Sequence, residues 1–244
     1  MRKLTTVILM SLATTGAYGD DQSPHKFGGD VAITSDYVFR GISNSDNKPA
    51  VQGDVTYSYE PLGIYASLWA SSIDFQATDD PIETDWTLGI GGSFFNTGLS
   101  YDLGNVYYYY PGNANKTHPD YNYDEAYFGL SYDFASVPYT PSVGAKVYYS
   151  PDFFGEDGSA YYIVGNASLS LPYDFSLSGH VGYQDVSGDK TTTGYDYVDY
   201  QIGLSKDVFG FGLNVSYTAV DDQAKVCGST LCGDKVFFTI SRGF

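Results

Sequence analysis

Phe209-Gly210-Phe211-Gly212-Leu213-Asn214-Val215-Ser216-Tyr217-Thr218-Ala219 decides the fold by its alternation. Phe209, Phe211, Leu213, Val215, Tyr217 and Ala219 fall on one side of an extended chain, with Gly210, Gly212, Asn214, Ser216 and Thr218 on the other. Successive side chains of a strand point to opposite faces, so this stretch has one greasy face and one wet face. The same split recurs from Ala126 to Phe134 and from Phe175 to Gln184. Working outward, about twelve such strands can be read from Asp30 to the last residue, with no capped helical segment between them. Their connections alternate in length. Pro61-Leu62-Gly63, Asn96-Thr97-Gly98, Ser136-Val137-Pro138, Pro172-Tyr173-Asp174 and Asp207-Val208-Phe209-Gly210 are minimal turns. Residues 43–48, 76–81, 112–120, 152–159, 188–194 and 221–233 are longer and polar. Short turns on one rim and long loops on the other are the layout of an all-β, antiparallel up-and-down transmembrane β-barrel whose short rim is periplasmic. An even strand number returns both termini to that side. A secreted β-sandwich is the competing reading. The regular alternation of connections argues against it, as do aromatics crowded near strand ends, such as Tyr107 to Tyr110 and Tyr148-Tyr149.

Composition agrees with a barrel. The 244 residues hold 25 Tyr, 15 Phe and 28 Gly against two Met and two Trp, a mix suited to pleated surfaces. At 43% hydrophobic the chain is too polar for a bundle of membrane helices, whereas a barrel turns only alternate residues to lipid. A formal net charge of −17 excludes a nucleic-acid partner, because phosphates demand a basic face. Arg2 and Lys3, the apolar Leu4 to Ala13 and the small residues around Ala17-Tyr18-Gly19 read as a signal peptide over residues 1–19. Residues 20–29 then form a short periplasmic lead and 30–244 the barrel, in a Gram-negative outer membrane. In that oxidising compartment Cys227 and Cys232 read as a disulfide closing a small loop. His25, His118 and His180 lack metal-like spacing, so neither metal nor cofactor is expected.

Val236, Phe238, Ile240 and Phe244 form a final alternating strand closed by an aromatic residue, a pattern that the barrel assembly machinery reads. Arg242 departs from it, at a rim position from which it can snorkel. The expected partners are that machinery, outer-membrane lipid and lipopolysaccharide, and small hydrophilic solutes. Association into a homo-oligomer is compatible with any such lipid-facing surface.

Ser35-Asp36-Tyr37-Val38-Phe39-Arg40-Gly41-Ile42-Ser43, followed by Lys48-Pro49-Ala50, resembles the TorF family, also known by its Gcw_chp domain. Tyr107-Tyr108-Tyr109-Tyr110-Pro111-Gly112, Tyr148 to Gly155 and Val181-Gly182-Tyr183 extend the likeness over the mature chain. The resemblance implies a proteobacterial outer-membrane barrel, assigned as a porin by its shape, with its solute undetermined. The cysteine pair is no part of it.

Phase along the opening strand puts Val31, Ile33, Tyr37 and Phe39 outward and Thr34, Asp36 and Arg40 into the lumen. Asp36 and Arg40, four apart on one face, make either a charged constriction that orients a polar solute or a structural ion pair with neighbouring strands. The same rule places Asp54, Asp133, Lys146, His180, Asp199 and Gln201 inside as pore-lining groups. Carboxylates outnumber cations, so an open pore favours cations and neutral solutes over acidic sugars. The expected function is passive diffusion of small hydrophilic solutes, without catalysis. One alternative is a plugged structural or adhesive barrel, its interior filled by Tyr127, Tyr148 and Tyr162. Another is an outer-membrane hydrolase, for which His180 among Ser176, Ser178 and Gln184 is the residue to watch, although no Gly-x-Ser-x-Gly is present. Gly104-Asn105 breaks the phase between Leu99 and Pro111 and suggests a bulge.

Overall fold

Each alternating stretch forms a wall strand in the computed structural model, which describes residues 23–74, 81–94, 97–112, 120–190, 192–222 and 227–244. The strands are β1 (His25–Thr34), β2 (Val38–Phe39), β3 (Ile42–Ser43), β4 (Ala50–Tyr59), β5 (Ile64–Ser72), β6 (Ile82–Ser93) and β7 (Leu99–Tyr109). They continue as β8 (Tyr123–Asp133), β9 (Ser142–Ser150), β10 (Ala160–Ser170), β11 (Phe175–Val186), β12 (Tyr195–Val208), β13 (Phe211–Val220) and β14 (Lys235–Gly243). A one-turn helix, α1 (Gly228–Cys232), precedes the last strand. Among the described residues, twelve strands close one barrel in the order β1-β14-β13-β12-β11-β10-β9-β8-β7-β6-β5-β4, while β2 and β3 pair only with each other. Every wall contact joins consecutive wall strands, β1 pairing with β4 across the small β2–β3 hairpin, except the closing seam of β1 with β14, which is the up-and-down topology. The wall strands run from 9 to 14 residues, enough to cross hydrocarbon when tilted.

The seam pairs β1 with β14 from Asp30↔Gly243 to Thr34↔Thr239. Reciprocal backbone bonds of 3.2 and 3.0 Å between Gly29 and Phe244 extend it to the end of the chain. Outside, the apolar halves of the alternation are bare: Ile33, Val51 and Leu88 are 61%, 63% and 64% exposed. A surface of that kind is stable against lipid rather than water. Val236, Phe238 and Ile240 lie on it, and Arg242 donates to the Phe209 carbonyl in the adjoining short turn at 3.1 Å, its guanidinium 5.0 Å from the Phe211 ring.

Four sequence expectations change. The wall begins at His25, paired with Tyr59, so residues 25–29 of the expected lead are already barrel. No bulge interrupts β7, whose ladder to β8 runs unbroken through Gly104↔Tyr127 and Asn105↔Ala126. Asn105 simply faces outward, where its Nδ2 donates to Asp124 Oδ2 at 3.0 Å. Tyr37 and Phe39 do not face lipid, because the chain leaves the wall after Thr34: Tyr37 is 5% exposed and packs on Trp69 at 5.2 Å between ring centroids. For the same reason Asp36 and Arg40 do not share a strand face. The expected signal peptide and His118 lie outside the described residues.

The lumen differs between its ends. Towards the long loops Tyr37, Tyr108, Tyr110, Tyr123 and Phe153 form a buried aromatic cluster. There Glu156 and Lys190, 2.6 Å apart, tie two loops together, and the hydrogen bond from Lys190 holds the Glu156 carboxyl below its ordinary range. Towards the short turns the inward residues are small and polar. Ser93 and Ser178 point inward and are exposed, while Ser142, Ser205 and Ser241 on the same inner face are buried.

Candidate functional site

The segment that leaves the wall folds back into the barrel as a miniature hairpin. Val38 and Phe39 pair with Ser43 and Ile42, leaving Arg40 and Gly41 as the turn. Their φ values are +48° and +80°, the two consecutive left-handed residues of a type I′ hairpin. Gly41 suits the second position, and an added Cβ there would run into Val220 Cγ2. Asp36 braces the base of the hairpin: its Oδ1 accepts from the hydroxyls of Ser43 at 2.6 Å and Ser45 at 3.0 Å, and Lys235 Nζ lies 3.4 Å from Oδ2.

Arg40 is thereby carried to the wall opposite its own strand. Its Nη1 donates to Glu125 Oε1 at 2.9 Å and to Gln184 Oε1 at 2.7 Å, and Nη2 donates to Glu125 Oε2 at 2.5 Å. The guanidinium carbon lies 4.1 Å from the centroid of Tyr162 and 5.2 Å from that of Tyr148, within reach of both π faces. Tyr108 donates to Glu125 Oε2 at 3.0 Å. A forked charge pair shielded from water in this way fixes position as well as charge.

Two further networks line the wall below the hairpin. Lys146 Nζ meets Asp102 Oδ2 at 2.6 Å and sits 4.4 Å over the Tyr127 ring, while the Tyr65 hydroxyl donates to Asp102 Oδ1 at 2.6 Å and touches the Tyr127 hydroxyl. His180 Nε2 lies 2.7 Å from Asp199 Oδ1, and the Tyr162 hydroxyl donates to Asp199 Oδ2 at 3.0 Å. Gly182 makes room for this second group, since a Cβ there would meet both Tyr162 and Asp199.

Of the residues singled out from sequence, His180 and Asp199 meet directly, and Gln201 is the cross-strand neighbour of His180. Lys146 finds Asp102 instead of another of the group. Asp54 stands opposite Asp30 on β1, and Asp133 is exposed at the short-turn end of β8. Cys227 and Cys232 are bonded to each other, with Cα atoms 5.9 Å apart. Sequence reading passed over Asp30, Asp102 and Glu125, and met Gln184 only as an inward neighbour of His180. The same alternation that turns Tyr127 and His180 inward turns Glu125 and Gln184 inward, so parity was the available signal.

The barrel is similar to solved porins. A structure of the KdgM porin shares 12% identity over 89% of this chain and 98% of that one, with a TM-score of 0.55. For the NanC porin the figures are 12%, 87%, 97% and 0.58. The KdgM porin in complex with disordered oligogalacturonate gives 10%, 89%, 98% and 0.56. At such identities the likeness establishes the fold alone. None of the curated proteins matches the chain. Residues 19–244 match a family model described as a bacterial protein of unknown function, Gcw_chp.

Proposed function

The chain belongs to the Gcw_chp family, and on a barrel with a porin fold we propose that it is a gated outer-membrane porin for small hydrophilic solutes, the role that its TorF likeness implies. The observation that carries this reading is the division of the lumen: lined with small polar residues towards the short turns, and filled towards the long loops by the inserted hairpin together with the aromatic cluster of Tyr37, Tyr108, Tyr110, Tyr123 and Phe153. A barrel built only as a scaffold has no need of a polar half. Diffusion through this lumen requires the hairpin to shift, and its two paired residues per arm make it the least extensively bonded sheet among the described residues.

The inward carboxylates of Asp54, Asp102 and Asp199 bias the field against anions. The KdgM porin is solved with a galacturonate oligomer, an anion; cations and neutral solutes suit the present lumen better. His180, held by Asp199 and next to Gln201, acts here as a hydrogen-bonding group of the wall. A plugged structural or adhesive barrel is the second reading, favoured by the packed aromatic end.

Swelling of proteoliposomes separates the two. Entry of neutral solutes graded in size, with a sharp cut-off, is expected of a porin. Barrels that are folded by gel mobility yet never admit the smallest solute would overturn it.

A further inference from the structure

Apart from the Phe39 ring, which lies 4.7 Å from the guanidinium carbon on the hairpin itself, the groups that grip Arg40 belong to neighbouring wall strands and persist when the hairpin moves. Tyr108 is on β7, Glu125 on β8, Tyr148 on β9, Tyr162 on β10 and Gln184 on β11. Their arrangement is specific to a planar cation. Glu125 presents both oxygens to one edge of the guanidinium, and Gln184 Oε1 takes a second direction from Nη1. The Gln184 amide is pre-oriented: its Nε2 donates to the Tyr161 carbonyl at 3.2 Å, which aims Oε1 into the lumen. Tyr108 steadies the carboxylate, and the Tyr162 ring covers the flat face at 4.1 Å. An ammonium, a compact point charge, cannot satisfy a fork and a face together.

We propose that this cradle is a binding subsite for solutes bearing a guanidinium group, and that Arg40 occupies it as a built-in mimic of such a solute. The inference rests on the gated-porin reading, since it is withdrawal of the hairpin that frees the subsite. A guanidinium solute and Arg40 then compete for one place, and the solute favours the open barrel by the ratio of its affinities for the two states.

The test uses the refolded full-length barrel with methylguanidinium against methylammonium as the matched control. In Arg40→Ala, calorimetry is expected to show methylguanidinium binding about tenfold tighter than methylammonium, and Glu125→Gln in that background should abolish the difference. In the wild-type barrel methylguanidinium, and not methylammonium, should speed proteolysis within residues 38–43, a readout independent of how well the variant folds. Equal binding of the two cations, or a preference indifferent to Glu125→Gln, overturns the proposal, as does wild-type proteolysis that ignores methylguanidinium. Bilayer current through the same Arg40→Ala protein keeps the two ideas apart. Current without guanidinium preference removes the subsite and leaves the porin; preference without current removes the porin and leaves the subsite.

Discussion

Glu125 takes both prongs of the Arg40 guanidinium, at 2.9 and 2.5 Å, across 85 residues of sequence and with side chains only 1% and 4% exposed. The pair joins the tip of an inserted hairpin to a strand on the far side of the barrel. Taking one member from a buried charge pair leaves the other desolvated and unmatched, at a cost of roughly 3–5 kcal/mol. Here the structure has a cheaper response, which is to let the hairpin leave.

Glu125→Gln is therefore expected to release residues 38–43 while the wall stays closed. Limited proteolysis should cut the variant within that segment at least tenfold faster than wild type, with unchanged gel mobility of the folded barrel. Equal protection of the segment in both proteins would show that the ion pair does not hold the hairpin.

Gly41→Val attacks the same device through the backbone. A β-branched residue at φ +80° costs about 1–2 kcal/mol, and its Cβ has no room beside Val220. The variant should match Glu125→Gln in protease sensitivity although it changes no charge. A variant as resistant as wild type would mean that the tip is not seated against β13.

The wall was legible in the sequence because period-two alternation survives at every strand. Phe211 to Ala219 faces lipid and lumen as its pattern dictates, and the inward phase of Lys146, His180 and Asp199 followed from the same rule. The hairpin was not legible by that rule. Tyr37 and Phe39 continue the odd-numbered apolar phase of Val31 and Ile33, so a chain that has turned into the lumen has the alternation of one still in the wall. The difference lies in tertiary competition: aromatic rings packed on Trp69 and Tyr108 bury more area inside than they would at the lipid boundary. Gly41, between Arg40 and Ile42, was the one local sign of a turn. Glu125 was missed for a different reason, since nothing in its own strand announces an arginine supplied from 85 residues away.

Lys146→Met removes the cation that faces Asp102. With side chains 11% and 22% exposed, the loss in stability should fall between the ~1 kcal/mol of an exposed pair and the roughly 3 kcal/mol of a buried one. The lumen becomes more negative, so the reversal potential in a salt gradient should move further to the cation side. A shift towards anions, or none, would contradict the assignment of this pair to the conducting path.

Phe244→Ala tests the seam and the proposed assembly signal together. The backbone bonds between residues 29 and 244 remain available, so barrels already folded should keep their heat resistance within a few degrees. The yield of folded barrel in outer membranes should drop severalfold. Normal yield in cells would remove Phe244 from the assembly signal.

Single-channel recording across a planar bilayer under a potassium chloride gradient bears most directly on the gated porin. Wild-type barrels should give brief discrete steps that reverse on the cation side. Barrels in which residues 38–43 are replaced by a short Gly-Ser turn should give the same selectivity with much longer openings. Both proteins folded by gel mobility, and both electrically silent, would contradict a pore beneath the hairpin.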